Sequence, residues 1–221
     1  MKTAILVDGG FYRKRSSYLW GRKDPEKRAQ ELMAYCKAHL KHEREYADRS
    51  LYRIFYYDCP PLSKTVYHPL LKKGVDFGHS DTYQWANSFF DELRKQRKVA
   101  LRFGELSDEF ASFQIAPARV KELCAGSIRA EDLTEADFKI SFNQKGVDMK
   151  IGIDITSLAL KRQVDQIILI AGDSDFVPAA KFARREGIDF ILDPMWANIK
   201  ASLFEHIDGL RSQWKGRNCN K

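Results

Sequence analysis

The chain reads as an α/β protein built on a doubly wound parallel sheet, and three observations lead there. Ile167–Ala171 is an unbroken apolar run that ends at Gly172. That is the pattern of a strand buried on both faces, and such strands belong to parallel sheets covered by helices. Thr3–Val7 is a second run of this kind, followed by Asp8 and the Gly9-Gly10 pair. At both ends of the chain strand patterns alternate with helical ones, the mark of βαβ units.

Taken in order, Thr3–Asp8 is the first strand, and Gly9-Gly10 reads as a tight turn after it. Phe11–Arg15 mixes aromatic and basic residues. Asp24-Pro25 is an N-cap with proline at the first helical position. Ala29, Leu32, Met33, Cys36 and Leu40 then keep helical spacing, and the helix is expected to reach about residue 47. Leu51–Asp58 is rich in β-formers and is stopped by Cys59-Pro60-Pro61. Asp58 is open between a turn residue before prolines and a site acid. Residues 62–80 have no period and read as loop. Asp81 is expected to cap a helix over 82–96, with Trp85, Phe89 and Leu93 on one stripe.

Val99–Leu106 reads as a strand, 107–136 as short helices on an insertion, and Phe138–Phe142 as a further strand or edge ribbon. A helix opens at Lys145–Asp148 and runs to about 162. The central strand, a helix over 176–186 and its C-terminal Gly187 follow. Ile188–Leu192 is the next strand, and a short helix covers about 198–206. The expected organisation is one domain over 1–210, elaborated at about 60–140, with a basic tail at 211–221.

A chain of 221 residues fits one large domain. With 44% hydrophobic and 30% charged residues, a sizeable core is expected and disorder is not. No apolar run approaches the roughly 18 residues of a membrane span, and Met1–Ile5 lacks the pattern of a signal peptide. The four cysteines are scattered, with no CxxC and no zinc spacing, so they read as reduced thiols of a cytoplasmic protein. The net charge of +7 favours a polyanionic partner.

Against that basic body the candidate site is acidic. Open sheets place ligands outside the carboxyl ends of their strands. One strand ends at Asp8, the central one runs into Asp173 and Asp175, and a third ends at Asp58. Asp148 sits in a first helical turn, where the helix dipole favours an ionised carboxylate. Two like charges at 4 Å repel by about 4 kcal/mol even at an effective dielectric near 20. A hard divalent cation relieves that repulsion, and Mg²⁺ or Mn²⁺ prefers such oxygen donors. Asp154 follows Asp148 by about 240° around a helix and about 9 Å along it. The two cannot both grip one ion, and Asp154 shares the apolar face with Val147, Ile151 and Leu158. It is therefore expected either to support the Asp173 loop by hydrogen bonding or only to support structure, and Ser174, between the two aspartates, is expected to support the loop.

Three segments together resemble the NYN domain, a branch of the PIN-like nucleases, close to the LabA-like bacterial proteins. They are LVDGGFY at 6–12, NQKGVDMKIGIDI at 143–155 and LIAGDSDFVPAAKFARREGIDFIL at 169–192. The resemblance implies a Rossmann-like, PIN-like parallel sheet with a variable middle, and metal-dependent RNA cleavage. Matched position by position, the family's acids fall on Asp8, Asp148, Asp173, Asp175 and Asp154. Phe11 stands where many members carry asparagine.

The expected reaction is attack of a metal-activated water on the phosphodiester of single-stranded RNA, leaving a 5′-phosphate and a 3′-hydroxyl. Asp8, Asp148 and Asp173 would hold Mg²⁺ or Mn²⁺, with Asp175 assisting. Tyr12, Arg13, Lys14, Arg15 and Lys145 are the expected substrate contacts, since single strands are held by cations and aromatic platforms. The rival readings are a non-catalytic RNA-binding or regulatory module, a metal-dependent phosphatase and, as the resemblance also implies, a nuclease acting on DNA. A homodimer is left open.

Overall fold

The structure, a computed structural model, describes residues 1–41 and 49–215. In chain order it contains β1 (Lys2–Asp8), α1 (Gly9–Trp20), α2 (Pro25–Leu40), β2 (Ser50–Asp58), β3 (Thr65–His68), β4 (Lys73–Asp76) and α3 (Asp81–Arg94). Then come β5 (Val99–Phe103), β6 (Glu105–Ile115), α4 (Pro117–Cys124), β7 (Phe138–Lys145), α5 (Val147–Leu160) and β8 (Gln166–Ile170). The chain continues through α6 (Val177–Arg185), β9 (Asp189–Asp193), α7 (Ala201–Phe204) and β10 (Gly209–Leu210). Single 3₁₀ turns cover Ala130–Asp132, Glu135–Asp137 and Ser174–Phe176.

Two compact units emerge. The first comprises 1–59, 88–104 and 146–221, and the second 60–87 and 105–145. The first is built on a six-stranded sheet in the order β10-β9-β8-β1-β2-β5. All of its pairings are parallel, as the apolar runs predict. Its core on one face joins Ala4 and Leu6 of β1, Ile167 and Leu169 of β8, Ile151 and Ile155 of α5, and Ala180 and Ala183 of α6. Side chains alternate along a strand, so Ile5 and Val7 point to the other face, and both are fully buried. There Tyr56 of β2 meets Phe89 of α3, ring centroids 5.6 Å apart.

The second unit holds two antiparallel ribbons, β3–β4 and β6–β7. His68 of β3 packs on Phe113 and Phe138, with centroids at 4.3 and 5.0 Å.

Several expectations are corrected. Gly9-Gly10 is not a turn: α1 starts at once, with the Asp8 carboxylate capping it by accepting from the Phe11 N–H. Glycine is needed at 9 for space, because a Cβ there would stand 2.5 Å from Asp58 Oδ2 and 2.6 Å from the Tyr56 hydroxyl. Residues 62–80 contain the β3–β4 hairpin, and 105–115 form a strand rather than helices. The side chain that caps α3 is Ser80, accepting from the Tyr83 N–H, not Asp81. The last helix is one turn, Ala201–Phe204. Gly187 does follow α6 with φ 83, the left-handed conformation that glycine adopts without strain. The expected extension of α2 to about 47, and the tail beyond 215, fall outside the described residues.

Candidate functional site

Strand order reverses direction between β1 and β8. From β1 the chain builds outward through β2 and β5, then returns to place β8, β9 and β10 on the other side. A doubly wound sheet opens a crevice at such a point, beyond the carboxyl ends of the two strands. Val7 pairs with Ile170, and Asp8 with Tyr57. Asp8, Asp58 and the Gly172-Asp173 turn therefore leave the sheet along one edge.

Asp8 is half-buried at the root of that crevice, with its Oδ1 3.0 Å from the Phe11 nitrogen. Burial pushes its carboxyl up to about 6, against the pull of the Phe11 N–H, and the fields of Asp148 and Asp58 add to the rise. Asp148, in the first turn of α5, is exposed. Its carboxyl is also raised, by partial desolvation and by the negative fields of Asp173 and Asp175. Asp173 caps the 3₁₀ turn by accepting from the Asp175 N–H at 3.1 Å. Asp173 and Asp175 are both exposed.

The acids form a chain of mutual repulsion with Asp148 as its node, not a closed ring. Among the described residues no three His, Cys, Asp or Glu side chains are drawn together closely enough to hold an ion by themselves. The reason is local: Asp8 is turned toward the start of α1 and Asp173 toward the start of its own turn.

Asp58 is a structural acid. It is 2% exposed, accepts from Tyr56 Oη at 3.1 Å and from its neighbour Cys59 N–H at 2.8 Å, and pairs with Arg13 Nη2 at 2.8 Å.

That pairing corrects the expected substrate contacts. Arg13 is turned inward onto Asp58. Tyr12 is fully buried and donates its hydroxyl to Glu31 at 3.2 Å, so its ring has no face to offer a base. Helical geometry explains both: residues 12 and 13 of α1 face the sheet, whereas Lys14 points out and is exposed. Lys145 ends β7 in the second unit and is exposed.

Asp154 does not reach the Asp173 loop. It accepts from Tyr57 Oη at 2.7 Å and from Arg102 Nε at 3.3 Å, tying α5 to β2 and β5. Ser174 Oγ accepts from Lys200 Nζ at 3.0 Å, which brings an ammonium to the acidic edge. Nothing in the local sequence around Lys200 signals that role, because the contact spans 26 residues. The Phe11 ring lies against Gly172, where a Cβ would be 2.6 Å from Phe11 Cε2.

The NYN domain model matches residues 80–203, more than half of the chain, and takes in Asp148, Asp173 and Asp175. The chain belongs to the NYN domain family. That membership puts it among the PIN-like nucleases, which in general depend on divalent metal. The match begins after β1, so Asp8 lies outside it. No curated protein matches the chain. A crystal structure of a protein of unknown function from Vibrio parahaemolyticus is similar at 15% identity and a TM-score of 0.46, covering 95% of this chain and 90% of its own. At that score the likeness carries no argument. No described helix is long and apolar enough to cross a membrane.

Proposed function

We propose that this NYN domain is a divalent-metal-dependent ribonuclease acting within single-stranded RNA. The observation behind the reading is that Asp8, at the switch point of the sheet, lies in the negative field of Asp148, far away in sequence, and Asp148 in turn in the fields of Asp173 and Asp175.

The donor set fits Mg²⁺ or Mn²⁺ in kind. It offers only carboxylate oxygens, one of them partly desolvated, and an ion that keeps several waters needs only one or two protein carboxylates directly. Asp8, Asp148 and Asp173 would hold it. When bound, such an ion lends Lewis acidity to the phosphodiester and to the attacking water.

The chain's own groups do the rest. The Phe11 N–H fixes one oxygen of Asp8, so that carboxylate is oriented before any ligand arrives. Asp175, exposed and close enough to Asp148 for its charge to act there, is assigned the proton of the attacking water. Attack at phosphorus breaks the bond to the 3′-oxygen, leaving a 5′-phosphate on one product and a 3′-hydroxyl on the other. Lys200, through Ser174, balances negative charge at this edge. Lys14, which is exposed, is assigned to a phosphate of the strand.

Incubation of end-labelled single-stranded RNA with Mn²⁺ or Mg²⁺ tests the reading. Internal cleavage should appear, vanish with EDTA, and fall by at least a hundredfold in Asp173→Asn. Cleavage that persists in that variant or in EDTA would sink it.

A second reading, a binding module without turnover, is favoured by the open arrangement of the acids and by Phe11 packed on Gly172. It predicts metal-independent retention of intact RNA in the same assay.

A further inference from the structure

One strand beyond Asp173 the sheet edge carries a feature that the acids do not explain. Ile170 of β8 pairs with Asp193 of β9. The Asp193 carbonyl also accepts from the Ala171 N–H at 3.2 Å, so Met195 and Trp196 follow directly on the strand that neighbours the one leading into Gly172-Asp173. Both have left-handed backbones, φ 46 and 61, although neither is glycine. Such a conformation costs free energy in a bulky residue and persists only where the surroundings enforce it.

Here they do. The Met195 N–H donates to Asp193 Oδ1 at 2.7 Å, and its carbonyl accepts from Arg15 Nη2 at 2.7 Å. The Trp196 N–H donates to Ser212 Oγ at 3.0 Å, and its indole N–H to the Trp214 carbonyl at 3.1 Å. What this bracing achieves is to hold a large aromatic ring outward: Trp196 is 41% exposed, whereas Met195 is fully buried.

The ring is not isolated. The Lys215 ammonium stands 5.3 Å from its centroid. Arg15, which holds the turn, also lies 5.1 Å from the centroid of Tyr18, a ring 55% exposed. Trp214 is 40% exposed. Two outward aromatics, Tyr18 and Trp196, with the half-open ring of Trp214 packed edge-on against Trp20 and Tyr35 beside them, are interleaved with two cations, and that matches what a flexible strand needs, π-faces for bases and positive charge for phosphates.

We propose that the Trp196 turn, with Tyr18, Trp214, Arg15 and Lys215, is a stacking platform that holds the bases of single-stranded RNA beside the acidic crevice. The inference rests on the RNA reading above and gives that site its strand-holding surface, the part that Tyr12 and Arg13 cannot supply. Duplex RNA, whose bases already stack on one another, should compete poorly for it.

The test is fluorescence anisotropy of a labelled oligouridylate in Mg²⁺, in an Asp173→Asn background so that the strand is not consumed. Trp196→Leu keeps apolar bulk but removes the π-face, and affinity should fall about tenfold. Trp196→Phe should retain affinity within about threefold, while the quenching of indole emission on adding the oligonucleotide is reduced to the share that Trp214 contributes. Lys215→Gln should lower the log–log salt slope by about 0.7. If Trp196→Leu does not fold, the quenching comparison of Trp196 with Trp196→Phe decides alone. Equal binding by all variants, no oligonucleotide binding at all, or unchanged quenching in Trp196→Phe would overturn the platform. Cleavage by the wild type separates the two claims. Cleavage with Trp196-independent binding removes only the platform, and Trp196-dependent binding without cleavage removes only the nuclease.

Discussion

Asp8 carries a tension that can be measured directly. Its carboxyl is raised from 3.8 to about 6, so between those values the folded protein binds a proton that the unfolded chain has released. The sign follows: the native state binds more protons, so stability falls as pH rises from about 4 to 6, by on the order of 3 kcal/mol. Asp8→Asn keeps an oxygen to accept from the Phe11 N–H but has no charge to desolvate. It should melt higher than the wild type at pH 7 and the difference should close near pH 4, followed by calorimetry across that range. If an ion occupies this position, Mg²⁺ or Mn²⁺ should raise the melting temperature of the wild type and not of Asp8→Asn. An equal response in both would remove Asp8 from the ligand set. Burial raises the Asp58 carboxyl as well, but there the Arg13 counter-charge makes removal of the acid costly. Truncation to alanine leaves Arg13 half-buried without its counter-charge and should cost about 3 kcal/mol in urea unfolding.

The element that sets the site's geometry is α5. Its inward residues Ile151, Ile155 and Leu158 are packed in the core, and its first turn presents Asp148. The Asp154 carboxylate, midway along the helix, is bonded to Tyr57 and Arg102, which fixes α5 against two strands. Asp154→Ala leaves the buried Tyr57 hydroxyl unpaired and should destabilise by about 2 kcal/mol. It should also reduce cleavage although Asp154 touches no other site acid, because Asp148 loses its fixed position. Full activity in a destabilised Asp154→Ala would show that the α5 register does not matter to the chemistry. The same element shows how legible the sequence was. The spacing placed Asp154 on the apolar face and demanded a partner for it. The partner it found lies on β2 and β5 rather than in the Asp173 loop, because a helix crossing a sheet meets the strands beneath it.

For the molecule as a whole, charge decides how the proposed RNA substrate would be met. The chain has 37 basic and 30 acidic residues, yet the crevice is acidic. Attraction must therefore come from cations outside it. If about three phosphates are engaged, affinity for single-stranded RNA should fall roughly tenfold or more between 50 and 200 mM salt. A flat salt response would mean that the basic surface plays no part. Much of the architecture was readable because it is written locally. Buried parallel strands are unbroken apolar runs, and the 166–170 and 2–8 strands could hardly be missed. The β3–β4 hairpin was missed because its strands are four residues each and most of their side chains face solvent, so no period betrays them.

The chain's own order of residues determined the parallel sheet, the edge at which its strands end, and the identity of the acids gathered there. These follow from burial and from the period of two, which neighbouring residues record. Only the tertiary structure decided which of those acids are free. Asp58 is consumed by Arg13, Tyr12 is sealed in the core, and Trp196 is held outward by a strained turn. Each outcome depends on a partner far away in the chain, and a side chain's charge or ring is available for chemistry only when no such partner has already taken it.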